Sequence, residues 1–198
     1  DDRDGEVRSI AATATGNLGA AALPAVPQLV KQLQSDPVKE SRETAARALG
    51  RIGKAAPDEQ GLVSPLTGAT REDADPVTRV VAHGALAMIG VEMAGQIVAL
   101  RKYLHHDDAL VRMKASHALG MIGMPAKGAA PEIVDVLKRE TDPHRRGYVA
   151  RALGNTGDPA SLPALLAALE KETDSGAKGE IHGAINRLKA PAATTTKP

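Results

Sequence analysis

The 198-residue chain has no cysteine, no tryptophan and no phenylalanine, and its only aromatic residues are Tyr103 and Tyr148. Without cysteine there is no disulfide and no thiolate chemistry, and the redox compartment stays open. Without large aromatics, alanine and leucine must do the packing, which suits closely spaced helices. Net charge is only +1, so no long-range field favours nucleic acid or an anionic membrane. No apolar run approaches the roughly 20 residues that span a bilayer. No signal peptide is visible. The chain starts at Asp1 without a methionine, so a leader or a longer N-terminal region is expected to be missing. No Ser-His-Asp spacing, phosphate loop or nucleophile elbow is present.

What the chain does have is a repeat. Five segments close alike: Ala14-Thr15-Gly16-Asn17-Leu18-Gly19, Ala48-Leu49-Gly50-Arg51-Ile52-Gly53, Ala85-Leu86-Ala87-Met88-Ile89-Gly90, Ala118-Leu119-Gly120-Met121-Ile122-Gly123 and Ala152-Leu153-Gly154-Asn155-Thr156-Gly157. The closing glycines step by 34, 37, 33 and 34 residues. Arg8, Arg42, Arg79, Arg112 and Arg146 each stand 11 residues before one of them. A worn sixth copy ends at Lys189, with Lys178 in the arginine slot. This period implies an all-α solenoid of about 11 helices. Residues 1–190 read as one array, in units of about 1–19 (partial), 20–53, 54–90, 91–123, 124–157 and 158–189, with a flexible tail at 191–198.

Each unit reads as two helices. One is announced by Asp36-Pro37, Asp75-Pro76 or Asp142-Pro143, an N-cap carboxylate before a first-turn proline; Asp108 and Asp174 offer the cap alone. It is closed by glycine at 53, 90, 123 or 157. The other is shorter and rich in Leu and Pro, as in Leu162-Pro163-Ala164-Leu165-Leu166. The pattern resembles the HEAT repeat family, which is armadillo-like, and within it the short subclass named after phycobilisome-lyase HEAT-like repeats. The carrying residues are Asp75-Pro76-Val77, Arg79 and the Ala-Leu-Gly-x-Ile-Gly endings. The resemblance implies a right-handed α-solenoid with capped helices on the concave face and Leu/Pro helices on the convex one. The array begins in mid-unit, so either upstream sequence or another subunit is expected to cover that end. The longest step, 53 to 90, holds extra residues around Pro57-Asp58-Glu59-Gln60 and a weak helix with Pro65 and Gly68, which marks a change of curvature.

The arginine column is expected to be a structural ladder, bonding adjacent turn carbonyls or the capping aspartates. His105-His106-Asp107-Asp108 has metal-ligand residue types, but neighbours on one turn rarely converge on one ion. The iron enzyme deoxyhypusine hydroxylase is built on HEAT-like repeats and carries paired His-Glu motifs. Here the six histidines are followed by Gly84, His106, Asp107, Ala118, Arg145 and Gly183, so that pairing is missing. HEAT-like DNA glycosylases use tryptophan on a strongly basic face, and both are absent. No metal or cofactor is expected.

The remaining signal is a departure from the repeat. Numbering slots backward from the closing glycine, slots 12, 8, 5, 4 and 1 read as core, and slots 13, 10 and 6 as concave, with slot 2 at the edge. Flanking units are polar or bare there. The central units carry Val77, Val80, Gly84, Met88 and Leu110, Met113, His117, Met121. All five methionines lie between 88 and 124, and methionine adapts to varied partners. An exposed apolar strip implies a contact site, with Arg47, Arg51, His117 and Arg151 orienting a protein partner. The sequence therefore suggests a non-enzymatic scaffold, or a HEAT subunit of a larger assembly, with no nucleic-acid partner and no membrane insertion. The alternatives are a bilin-lyase-like or chaperone-like subunit for a chromophore protein, and a structural spacer.

Overall fold

The computed structural model describes residues 3–56 and 60–190. The expected tail and Pro57-Asp58-Glu59 lie outside them. Among the described residues there are eleven α-helices and no strand. The chain divides into two compact units between Tyr103 and Leu104. The first holds α1 (Gly5–Asn17), α2 (Val26–Ser35), α3 (Lys39–Ala55), α4 (Val63–Glu72), α5 (Pro76–Ile89) and α6 (Met93–Tyr103). The second holds α7 (Ala109–Ile122), α8 (Ala130–Arg139), α9 (Pro143–Thr156), α10 (Leu162–Lys171) and α11 (Ser175–Lys189). Within the first unit α1, α3 and α5 pack as a row, with α2 and α4 against α3 and α5. Within the second, α7, α9 and α11 form the row, with α8 and α10 behind α9 and α11.

The capped helices start as the sequence implies. Asp75 accepts from Thr78 N at 2.9 Å, Asp142 from Arg145 N at 2.8 Å, Asp108 from Leu110 N at 2.8 Å and Asp174 from Ala177 N at 2.8 Å. Asp36 is different. It ends α2, and the N-cap of α3 is Val38. Gly90, Gly123 and Gly157 have positive φ and stop their helices. Gly53 does not: α3 runs on to Ala55, and Gly53 is buried inside it.

Small residues set the spacing of each row. A Cβ added at Gly50 would sit 2.8 Å from the Cα of Ala85; at Gly120, 2.7 Å from the Cα of Ala152; at Gly154, 2.6 Å from the Cα of Ala184; at Gly16, 2.7 Å from the Cα of Ala48. Slot 3 of one capped helix thus touches slot 5 of the next, with no room for a methyl group. Leucine and isoleucine fill the space behind the row: Leu29, Leu33, Leu49, Ile52, Leu66 and Leu86 in the first unit, Leu119, Ile133, Leu153, Leu165 and Ile181 in the second. Each such burial is worth about 1.5–3 kcal/mol against exposure.

The arginines lie across the turns. Arg8 donates through Nε and Nη2 to Asp36 at 2.6 and 2.7 Å. Arg42 does the same to Asp73 at 2.7 and 3.0 Å and reaches the Asp36 carbonyl at 2.9 Å. Arg146 grips Glu172 at 2.8 and 2.9 Å and the Thr141 carbonyl at 2.6 Å. Arg79 takes the Asp73 carbonyl at 2.6 Å and the Tyr103 hydroxyl at 3.3 Å. Arg112 takes the carbonyls of His106 and Asp107 at 2.8 and 2.6 Å. The carbonyls are the expected ones. The acids are not the helix N-caps but residues ending the preceding Leu/Pro helix. Each also holds its turn, accepting from the backbone N–H two residues on: Val38 for Asp36, Asp75 for Asp73, Asp174 for Glu172. Arg8 and Arg146 hold Asp36 and Glu172 down to about 2, well below the usual carboxylate range.

Two outcomes follow for stability. Gly120→Ala forces backbone apart and should cost about 1–3 kcal/mol, although alanine is the better helix former. Gly68→Ala in α4, where nothing lies within 4 Å, should gain about 0.5–1 kcal/mol. Urea melts of the two variants check the pair; equal effects would refute the close contact. Acid supplies the second outcome. Unfolded carboxylates protonate near 4, while Asp36 and Glu172 keep their charge to about 2. The unfolded chain therefore binds more protons in that window, and stability present above about pH 4.5 falls as pH drops toward 2. Each acid contributes about 2–3 kcal/mol at neutral pH. Denaturant melts from pH 5 to 2 should show this loss, and Arg146→Gln should shrink it.

Candidate functional site

The expected apolar strip is not a continuous exposed surface. Val80 is 0% exposed and Met113 is 7%, and Val77 is buried as well. The reason is helical geometry. Slot 10 lies seven residues, two turns, from slot 3, so both share one face. In α1, α3, α7 and α9 slot 3 is a glycine that meets the next capped helix, so slot 10 of α7, Met113, turns toward that neighbour and not toward solvent. Gly147 shows this directly: a Cβ there would lie 3.5 Å from the Cα of Ala177 in α11. Val77 precedes Val80 by one turn on the same stripe. Leu110 and Met121 remain exposed, at 37% and 48%, while Met88 and His117 are half-buried. The orienting cations are engaged within the fold. Arg47 pairs with Glu43, and Arg51 donates to Asn17 Oδ1 at 2.5 Å.

The polar groups that do converge lie in the second unit, on the row α7, α9 and α11. On α9, His144, Tyr148 and Arg151 stand at i, i+4 and i+7, one above the other. The Arg151 guanidinium sits 4.5 Å from the centre of the Tyr148 ring, a cation–π contact. His144 and His117 meet that ring edge-on, with centroids 4.9 and 6.1 Å away. Arg151 also reaches Glu180 of α11 at 3.3 Å. Beside this cluster runs a groove of about 270 Å³, walled by His144, Tyr148, Asp174 and Glu180, with Gly147 and Gly176 leaving it open. A larger cleft, about 490 Å³, is lined by α8, α10 and the turn before α10. Its charges are paired among neighbours, Lys138 with Asp135 at 3.8 Å and Lys127 with Asp158 at 3.6 Å, which leaves it without a converging set. The sequence marked His117 and Arg151 but passed over Tyr148, His144 and Glu180. Tyr148 was legible as one of two aromatics in the chain.

In the first unit His83 is half-buried and its Nδ1 lies 2.7 Å from Gln96 Oε1. The amide oxygen can only accept, so Nδ1 carries the proton. Burial lowers the His83 pKa below 6.5, against an upward pull from Gln96. Among the described residues, no three His, Asp or Glu side chains come together in a way that could hold a metal ion. No helix among them is long and apolar enough to cross a membrane.

A family model for HEAT repeats matches residues 1–87, 63–146 and 124–186. The chain belongs to the HEAT-repeat family. Human deoxyhypusine hydroxylase is 34% identical over 170 residues, which cover 76% of this chain and 55% of the relative. This chain therefore spans about half the length of that relative. Epoxyqueuosine reductase of Bacillus subtilis is 44% identical over 66 residues, 33% of this chain and 17% of the relative. Among solved structures, an engineered protein superposes with TM-score 0.56 at 25% identity, covering 95% of this chain and 92% of its own. Human deoxyhypusine hydroxylase in complex with glycerol superposes with TM-score 0.50 at 24% identity, over 95% of this chain and 81% of that chain.

These findings correct two expectations. The curated relatives matched over most of the chain are hydroxylases, so the phycobilisome-lyase subclass does not stand. The non-enzymatic scaffold, with its lyase-like and spacer alternatives, is overturned by the same relatives, which are enzymes. The missing His-Glu pairs excluded one ligand set; they did not exclude kinship with that enzyme. Among the described residues the donor set does not fit an iron centre: His83 is bonded to Gln96, His117 and His144 abut Tyr148, and Glu180 is held by Arg151.

The buried histidine gives a direct check. In an NMR titration His83 should have its midpoint below 6.5, and Gln96→Leu should move it further down. A midpoint at or above 6.5 would mean that α6 does not cover it.

Proposed function

We propose that this chain is the substrate-holding HEAT-repeat portion of an enzyme of the deoxyhypusine hydroxylase kind. The observation that carries this reading is the 34% identity over 76% of the chain. The reductase match supports the division of labour. A hydroxylase and a reductase share this repeat pattern, so what they share is a helical frame rather than one set of reacting groups. The groove on α9 and α11 is the proposed contact. Asp174 on the groove wall suits a basic side chain, which would compete with Arg151 for Glu180 and for the Tyr148 ring. His144 and His117 stand close enough to orient a polar group. No reaction step is assigned to these residues, because no metal-holding set accompanies them.

The test is binding of deoxyhypusine, free and within a short peptide, by calorimetry on the purified chain. The expected result is saturable binding that weakens about ten-fold, or about 1.4 kcal/mol, in Tyr148→Ala and in Glu180→Gln. The chain loaded with ferrous iron should neither retain it stoichiometrically nor yield hydroxylated product alone. Absence of binding would sink the substrate-holding reading. Stoichiometric iron with turnover would show instead that the chain is a whole enzyme.

A further inference from the structure

The arginine in slot 6 of α9 is held differently from its counterpart in α3. Arg47 pairs with Glu43, one turn earlier on its own helix. In α9 that earlier position is Gly147, which leaves the groove open and offers Arg151 no acid there. Arg151 instead reaches Glu180 of α11 at 3.3 Å and lies 4.5 Å from the centre of the Tyr148 ring. Glu180 and Tyr148 are both walls of the groove. The grip is weak by the standard of this fold. Arg8 and Arg146 each bond a buried carboxylate through two nitrogens, at 2.6–2.9 Å. Arg151 bonds Glu180 through one, and the two side chains are 33% and 39% exposed. Exposed pairs of this kind contribute little, and a cation–π contact near the surface adds only modestly.

We infer that Arg151 is an internal stand-in for the ligand's cation, an autoinhibitory contact that a primary ammonium on an alkyl stem displaces from Glu180 and the Tyr148 ring. This rests on the substrate-holding reading of the groove. Two cations drawn to one carboxylate repel each other, so entry of the ligand and departure of Arg151 are one event. Arg151 can leave, because a third of its side chain already meets water. The ligand has the better position. Lying in the groove of about 270 Å³, it meets Asp174 as well as Glu180, and an ammonium has three donors to share between them. A neutral side chain brings nothing that offsets the loss of the Arg151 contacts. The resident arginine therefore selects for charge, and it keeps Glu180 paired while the groove is empty.

The test is calorimetric titration with deoxyhypusine of the full chain and of two variants, Arg151→Met and Lys178→Met. Methionine keeps an apolar stem and removes the charge. Lys178 is an exposed cation on α11, the helix of Glu180, and controls for net charge. Arg151→Met should bind about ten-fold tighter than the unaltered chain, and Lys178→Met should stay within about two-fold of it. In NMR spectra of the unaltered chain, the ring-current shift that Tyr148 imposes on the Arg151 side-chain protons should vanish as the ligand saturates. Equal or weaker binding by Arg151→Met overturns the inference and leaves the substrate-holding reading standing. So does an Arg151 shift that survives saturation, or an equal gain in Lys178→Met. No binding by the unaltered chain or by Arg151→Met overturns both.

Discussion

The close approach between neighbouring capped helices, glycine against alanine backbone, is the constraint on which each unit depends. At Cβ-to-Cα distances of 2.6–2.8 Å, no side chain fits in slot 3 of α1, α3, α7 or α9. Bringing two helices this near has several consequences. The space behind them is narrow enough for leucine and isoleucine to fill without aromatics. The turn after one Leu/Pro helix comes within reach of the arginine on the previous capped helix. Slot 10 is shut away from water at Met113 and Gly147. The Arg42 grip on Asp73 and the Arg146 grip on Glu172 span helix pairs, and a bidentate bond tolerates little change in spacing. Glycine contact and arginine rung are therefore two parts of one joint.

The ladder is not uniform, and its departures have physical sense. Glu140 stands in the acid position of its turn and accepts from Asp142 N at 2.9 Å, but its cation is Arg145 at 3.1 Å. Arg145 occupies slot 12, where Ser41 and Thr78 stand in α3 and α5. At the turn before α7, His106 replaces the acid and its Nδ1 accepts from Asp108 N at 3.0 Å. Both keep the turn bond while giving up the arginine grip. The array also leaves one side of the row α7, α9 and α11 free for chemistry that the stack does not require. There Tyr148, His144, Arg151 and Glu180 gather, and there the proposed substrate contact is placed.

Much of the fold was legible because period, caps and glycines are local signals. Asp75, Asp108, Asp142 and Asp174 cap as their position implies, and Gly90, Gly123 and Gly157 stop helices as glycine can. Asp36 and Gly53 misled because each has the right residue type in a context that uses it differently: the first to close a turn, the second to fit inside a helix. The apolar strip failed for an instructive reason. The helical wheel alone puts slot 10 on the concave face, whereas the slot-3 glycines mark where the neighbouring helix lies. Those glycines are in the sequence, and Gly120, seven residues after Met113, places that side chain inward. The histidine–tyrosine cluster was harder to see. It is assembled from α7, α9 and α11, and no local pattern joins His117 to Tyr148.

The coupling of glycine contact to arginine rung is most directly tested by a double-mutant cycle on Gly50→Ala and Arg42→Gln, measured by urea unfolding at pH 7. If the contact of α3 with α5 sets the reach of Arg42 to Asp73, then forcing those helices apart already weakens the rung. The double variant should be less destabilised than the sum of the singles by about 1 kcal/mol or more. Additivity within about 0.5 kcal/mol would contradict the account, since spacing and ladder would then be independent features of the stack.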